Sequence, residues 1–152
     1  RSSGIELSSE YRHKFSDFHD LKVFGRYQFV RSINTQVYQS DSSALGKQLF
    51  YTPLNTASLQ AQYRFKSVLY NLGLVYTGSV FTTADNTLDN QLPAYAIVNS
   101  SLAYAFKYKK HAAELSFKVL NLTNRTYQVM ENRPMPLRNY QIAIKFNINY
   151  DK

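Results

Sequence analysis

Through seven stretches of this chain, apolar and polar residues alternate with a period of two, a pattern that only extended strands with two unlike faces can use. Segment one sets Ile5, Leu7 and Tyr11 against Glu6, Ser8, Glu10 and Arg12, with Ser9 as the polar intruder on the apolar side. Segment two sets Leu21, Val23, Tyr27 and Phe29 against Lys22, Arg26 and Gln28; segment three sets Ala57, Leu59, Ala61, Tyr63 and Phe65 against Ser58, Gln60, Gln62 and Arg64. In segment four Val68, Tyr70, Leu72, Leu74, Tyr76 and Val80 oppose Asn71, Gly73, Thr77 and Ser79, with Leu69 and Val75 spoiling the polar side. Segment five opposes Val98, Leu102, Tyr104, Phe106 and Tyr108 to Asn99, Ser101, Ala103, Ala105 and Lys107, and segment six opposes Ala113, Leu115, Phe117 and Val119 to Glu114, Ser116 and Lys118. Segment seven alternates Tyr140, Ile142, Ile144, Phe146, Ile148 and Tyr150 with Gln141, Ala143, Lys145, Asn147 and Asn149.

The connections sharpen this into an architecture. Three are short, at His13–Asp20, Lys66–Ser67 and Lys109–His111, and three are long, at Arg31–Thr56, Thr82–Pro93 and Leu120–Arg138. Short and long alternate along the chain, as they do in membrane barrels with tight periplasmic turns and long external loops. A mean hydropathy of -0.39 and the lack of any run near roughly 20 apolar residues argue against a spanning helix. Strands escape that test, because only every second residue meets lipid. The chain has 13 Tyr and 10 Phe, rings suited to a boundary between oil and water. Tyr11, Tyr63, Phe65, Tyr70, Phe106, Tyr108, Phe146 and Tyr150 fall near the short turns, and Tyr27, Phe29, Tyr76 and Tyr140 near the long loops. The expected fold is therefore all-β, an antiparallel up-and-down transmembrane β-barrel portion. Seven is an odd count, so the expectation is an incomplete barrel, with further strands before Arg1 or an eighth strand within residues 31–56.

The closing residues carry a family resemblance. Val119-Leu120-Asn121-Leu122-Thr123-Asn124, then Tyr127, then Pro134-Met135-Pro136-Leu137-Arg138-Asn139-Tyr140 and a final alternating strand resemble the end of TonB-dependent outer-membrane receptors, in a Bacteroidota-like form. Tyr51-Thr52-Pro53, Tyr76-Thr77-Gly78 and Leu92-Pro93-Ala94-Tyr95 resemble matching parts of the same barrel. The resemblance implies residues 1–152 as the C-terminal segment of a barrel of about 22 strands. It implies a bacterial outer-membrane location and uptake of a scarce nutrient of the siderophore, vitamin B12 or glycan class. The implied partners are outer-membrane lipids, the remainder of the barrel and its plug, the TonB complex acting through an N-terminal part that this chain lacks, and a surface lipoprotein.

No catalytic constellation stands out, and the reading is of a non-enzyme without a cofactor. His13, His19 and His111 are placed in the short turns, with no Cys in the chain and no carboxylate at ligand spacing to build a metal site. Asp85, Asp89 and Glu131 read as solvated loop residues. Lys22, Arg26, Arg64, Lys107, Lys118 and Lys145 account for part of the +8 net charge and all lie on polar faces, opposite the aromatics. Nucleic-acid binding would want cations beside exposed rings, so no nucleic acid is expected. Loops carry binding, which makes Tyr38, Asp41, Tyr51, Asp85, Asn86, Asn132 and Arg133 the candidate contacts for a ligand or a lipoprotein. The rival readings are a passive porin or small structural outer-membrane barrel, and a soluble β-sandwich binding module.

Overall fold

A computed structural model describes residues 1–36, 42–108 and 111–147. In chain order its strands are β1 (Ser2–Ser16), β2 (His19–Ser32), β3 (Asn55–Phe65), β4 (Val68–Thr77), β5 (Val80–Phe81), β6 (Gln91–Leu92), β7 (Tyr95–Tyr108), β8 (His111–Leu120), β9 (Gln128–Met130), β10 (Arg133–Pro134) and β11 (Asn139–Asn147). Seven of them form one sheet in the order β1-β2-β3-β4-β7-β8-β11, and every neighbouring pair is antiparallel. This is the meander that alternating short and long connections require. Pairs β5–β6 and β9–β10 are small hairpins inside the second and third long loops.

The register turns seven separate alternations into two continuous faces. One row runs across the whole sheet as Arg12, Lys22, Gln62, Asn71, Ser101, Lys118 and Gln141. The row one residue further along β1 runs as His13, Leu21, Tyr63, Tyr70, Leu102, Phe117 and Ile142. Because successive side chains point to opposite sides of a strand, a one-residue slip in any pairing would put a cation among the apolar residues. Register is therefore strongly specified.

Nothing in the described residues covers the apolar face. Ile142, Ile144 and Phe146 are 73%, 60% and 59% exposed, and no described side chain is completely buried. The buried apolar residues are Leu92, Ile97, Ala103 and Ala113. A Leu or Phe side chain gains roughly 1.5–3 kcal/mol on leaving water, and this sheet alone leaves much of that gain unrealised along one face. A β-sandwich would have stacked a second sheet there. The sheet is also open, since β1 and β11 occupy its two ends.

The strands differ from the sequence expectation at several ends. The first short connection is only Asp17–Phe18, because β1 runs to Ser16 and β2 starts at His19. His13, Phe15 and His19 continue the ring-bearing face past Tyr11, as the contacts between successive rings demonstrate. All three histidines accordingly lie in strands rather than turns, His111 opening β8 opposite Tyr108. Segment four stops at Thr77, because the buried Gly78 donates its N–H to the Asn55 carbonyl at 2.8 Å and Val80 passes into β5. Between β2 and β3 the described residues hold a short 3-10 turn, Ser42–Ala44, and one bridge, Ile33 to Gln48, with no eighth strand of the main sheet. Ile148, Asn149 and Tyr150 lie outside the described residues.

Candidate functional site

The polar face supplies a lined trough, and the three long loops supply its mouth. Toward the loop end of β1–β2, the Glu6 carboxylate accepts hydrogen bonds from Arg26 Nε at 2.9 Å and Gln28 Nε2 at 2.5 Å. Thr56 Oγ1 donates to Gln28 Oε1 at 3.3 Å. Further along, Gln62 Nε2 donates to Asn71 Oδ1 at 3.0 Å, and Asn71 Nδ2 donates to Ser101 Oγ at 3.3 Å. Arg64 stands 3.7 Å from Asp20. Between these groups lies a concavity of about 520 Å³ lined by Glu10, Phe24, Gln60, Gly73, Asn99 and Lys118 among others. Gly73 opens its floor, since a Cβ there would meet nothing within 4 Å. Phe24 breaks the period-two pattern of its strand. It pairs with Glu10 and Gln60 and so puts a 37% exposed ring on the polar side. Amides, hydroxyls and an aromatic ring in this setting can bind and orient a polar solute.

The loops are tied together by a reciprocal clasp. Gln48 N–H donates to Asn86 Oδ1 at 2.8 Å, and Asn86 Nδ2 returns a hydrogen bond to the Gln48 carbonyl at 2.9 Å. The Gln48 side chain, buried, accepts from Ser32 N–H at 3.0 Å and donates to the Thr52 carbonyl at 3.2 Å. Asn86 thus treats Gln48 as one strand residue treats another, and its φ of 54° suits an asparagine. Tyr51 adds a second tie: its N–H donates to the Phe81 carbonyl at 2.8 Å and its hydroxyl accepts from Glu131 N–H at 3.4 Å. It therefore touches all three loops.

These contacts sort the sequence-derived candidates. Asn86 and Tyr51 are half-buried and engaged in holding loop to loop. Asp85, next to the clasp, accepts a hydrogen bond from Thr83 Oγ1 at 2.5 Å, which holds its carboxyl below the ordinary range. Asn132 and Arg133 are exposed at the β9–β10 hairpin, away from the clasp except through the Tyr51–Glu131 contact. Tyr38 and Asp41 lie outside the described residues. Among the described residues no group of three metal-ligating side chains comes together.

The third loop is built around Asn121, which is 3% exposed with φ 52°. Its Nδ2 donates to the carbonyls of Arg125 at 2.8 Å and Pro136 at 3.3 Å, and its Oδ1 accepts from Arg125 N–H at 2.9 Å. Its own N–H donates to Asn99 Oδ1 at 2.9 Å, fastening the loop to β7. Asn124, also left-handed at φ 54°, accepts from Arg138 N–H at 3.0 Å. The Asn-Leu-Thr-Asn stretch is thus a backbone clamp. It returns the chain to β11 and leaves Tyr127 packed on Tyr95, ring centroids 4.7 Å apart, at the mouth of the polar face.

Comparison with known proteins agrees with this fold. The chain is similar in structure to the ferric preacinetobactin receptor BauA of Acinetobacter baumannii, with a TM-score of 0.71 and 14% identity over 95% of this chain and 26% of that one. It is similar to the ferric citrate transporter FecA in its unliganded form, at 0.72 and 16% over 84% and 21%, and to the ferric-catecholate import receptor Fiu of E. coli K12, at 0.65 and 18% over 93% and 21%. The chain thus spans about a quarter or less of the length of these structures. No curated protein sequence matches it. A family model described as TonB dependent receptor-like, beta-barrel matches residues 1–122. With most of its length under that model and its seven-stranded antiparallel sheet superposing on such barrels, the chain belongs to the TonB-dependent receptor β-barrel family.

Proposed function

We propose that this chain is the C-terminal barrel segment of a nutrient importer of the bacterial outer membrane, forming part of its wall and outer mouth. The supporting observation is the two-faced register: a predominantly apolar face, uncovered by the described residues, backs a face of hydrogen-bonded polar and cationic groups. Lipid covers the first, and water or a plug packs against the second. Further strands on β1 and β11 close the barrel, because an unpaired edge in hydrocarbon leaves each backbone group unsatisfied at a cost of several kcal/mol.

Solute binds at the loop end of the trough and is driven inward by the TonB complex acting on a plug. Asp85, Asn132 and Arg133, with Tyr38 and Asp41, are the proposed contacts for the solute or a surface lipoprotein, while Asn86 and Tyr51 hold the mouth in shape. The names of the three structural neighbours make ferric siderophores the first substrate class to assay, ahead of vitamin B12 and glycans. The test is uptake of radiolabelled ferric chelates by cells carrying or lacking the gene, in tonB-positive and tonB-negative backgrounds, with fractionation of the protein. Outer-membrane recovery and TonB-dependent accumulation of one solute are expected. Recovery in the soluble periplasm refutes the wall, and uptake indifferent to TonB refutes energy coupling in favour of a passive pore.

A further inference from the structure

The chain's three histidines all fall on the apolar face, and all at its short-turn end. His13 shares a row with Leu21 and Tyr63, His19 pairs with Phe65, and His111 pairs with Tyr108. Two of them belong to a continuous run of rings. Tyr11 stacks toward His13 at 6.3 Å, His13 meets Phe15 edge-on at 4.4 Å, Phe15 stacks on His19 at 4.4 Å, and His19 meets Tyr63 and Phe65 edge-on at 5.1 and 5.6 Å. A register break between Lys14 and Ser16 seats Phe15 between the two imidazoles. His19 Nε2 lies 2.5 Å from the Tyr63 hydroxyl. In the tautomer that accepts this phenol at Nε2, Nδ1 carries a proton and is a donor. Beside them Lys66, in the two-residue turn between β3 and β4, holds its Nζ 5.5 Å from the Phe65 ring centroid.

Charge makes the patch selective. On this face, the short-turn ends of β1–β4 present no carboxylate: Asp20 lies on the opposite face near Arg64, and Asp17 in the turn is taken by Lys14 at 2.7 Å. Imidazoles and an ammonium set in an aromatic belt, unanswered by any acid, complement a phosphate at the depth where lipid headgroups meet acyl chains.

We propose that His13, His19 and Lys66 form a binding site for the headgroup phosphate of a phospholipid in the periplasmic leaflet, with Phe15 and Phe65 against its acyl chains. The site rests on the membrane placement proposed above, and its test separates the two. The intact protein, purified in detergent, is examined by native mass spectrometry with phosphatidylglycerol and with diacylglycerol of the same acyl chains. Wild type is expected to retain phosphatidylglycerol in preference to diacylglycerol. The triple variant His13→Phe, His19→Phe, Lys66→Gln, which keeps the rings, is expected to bind phosphatidylglycerol about tenfold more weakly with diacylglycerol unchanged. Lys66→Gln alone, an exposed turn side chain, is expected to cost about threefold, so a triple variant that fails to fold still leaves the site decided by the single one. Equal retention of the two lipids by wild type, or undiminished phosphatidylglycerol binding by the variants, overturns the site. A protein that stays folded and dispersed without detergent overturns the membrane placement instead.

Discussion

Adjacent residues on β4 should respond in opposite ways to the same charge. Leu74 lies on the apolar face, flanked in register by Leu59 and Val98 and placed between Tyr70 and Tyr76 on its own strand. Gly73 lies on the polar face between Gln60 and Asn99, over open space. A lysine on the lipid side of a barrel wall costs about 2–4 kcal/mol near the midplane, falling to about 0–1 at the interfaces. Leu74 is inside the aromatic limits, so Leu74→Lys should take the larger figure, a shift of roughly thirty- to several-hundred-fold in the folded-to-unfolded ratio. Gly73→Lys, with its ammonium among amides, should stay within about 1 kcal/mol of wild type. The assay is urea unfolding of the intact protein in phospholipid vesicles, followed by circular dichroism and protease protection, with wild type and both variants compared. Equal losses at the two positions, or a greater loss at Gly73, would show that lipid does not touch the Leu74 row.

The loop mouth gives three further expectations. Asn86→Ala removes both arms of the clasp and leaves the Gln48 N–H and carbonyl without partners. It should weaken local protection at the Gln48 amide by about 1–3 kcal/mol in hydrogen exchange, while the sheet amides are unaffected. Asn121→Ala should free the 121–138 loop for proteolysis, and Asn121→Gly, which keeps the backbone preference at φ 52° but not the side-chain bonds, should fail to restore protection. Because the carboxyl of Asp85 is held low by Thr83, its contribution is fully present above the ordinary carboxylate value near pH 4 and is lost only as pH falls through the lower folded value. Protease resistance of the 78–94 loop should therefore survive mild acid, and Thr83→Val should move its loss to higher pH.

The wall was legible in the sequence because its physics is repetitive. A residue that meets lipid or water at every second step writes a period of two, and the rows through Arg12 and His13 follow directly from it. What escaped has no period. Strands as short as Val80–Phe81 and Arg133–Pro134 are too brief to alternate, and the extension of β1 through His13 and Phe15 is masked because an imidazole does not count as apolar and the register breaks between Lys14 and Ser16. Phe24 and Gly25 invert the pattern locally, a ring on the polar side and a glycine on the apolar one. At the mouth, the position of Asn86 and Asn132 in long loops marks them as candidate contacts. A stronger signal was that asparagine tolerates the left-handed backbone, and Asn86, Asn121, Asn124 and Asn132 all occupy it. Tyr51, at φ 54°, carried no such signal, since its conformation is imposed by the Phe81 and Glu131 contacts far along the chain.

The most direct test of the two-faced wall is site-directed spin labelling of β4, which has no native cysteine in this chain, with any cysteine elsewhere in the protein replaced by serine. Single cysteines placed from Val68 to Thr77 in the intact protein, spin-labelled in a bilayer, report collision with oxygen dissolved in lipid and with a water-soluble nickel chelate. Oxygen accessibility should peak at Val68, Tyr70, Leu72, Leu74 and Tyr76 and fall at Leu69, Asn71, Gly73, Val75 and Thr77. A flat profile, or one with the peaks on the second set, would contradict it.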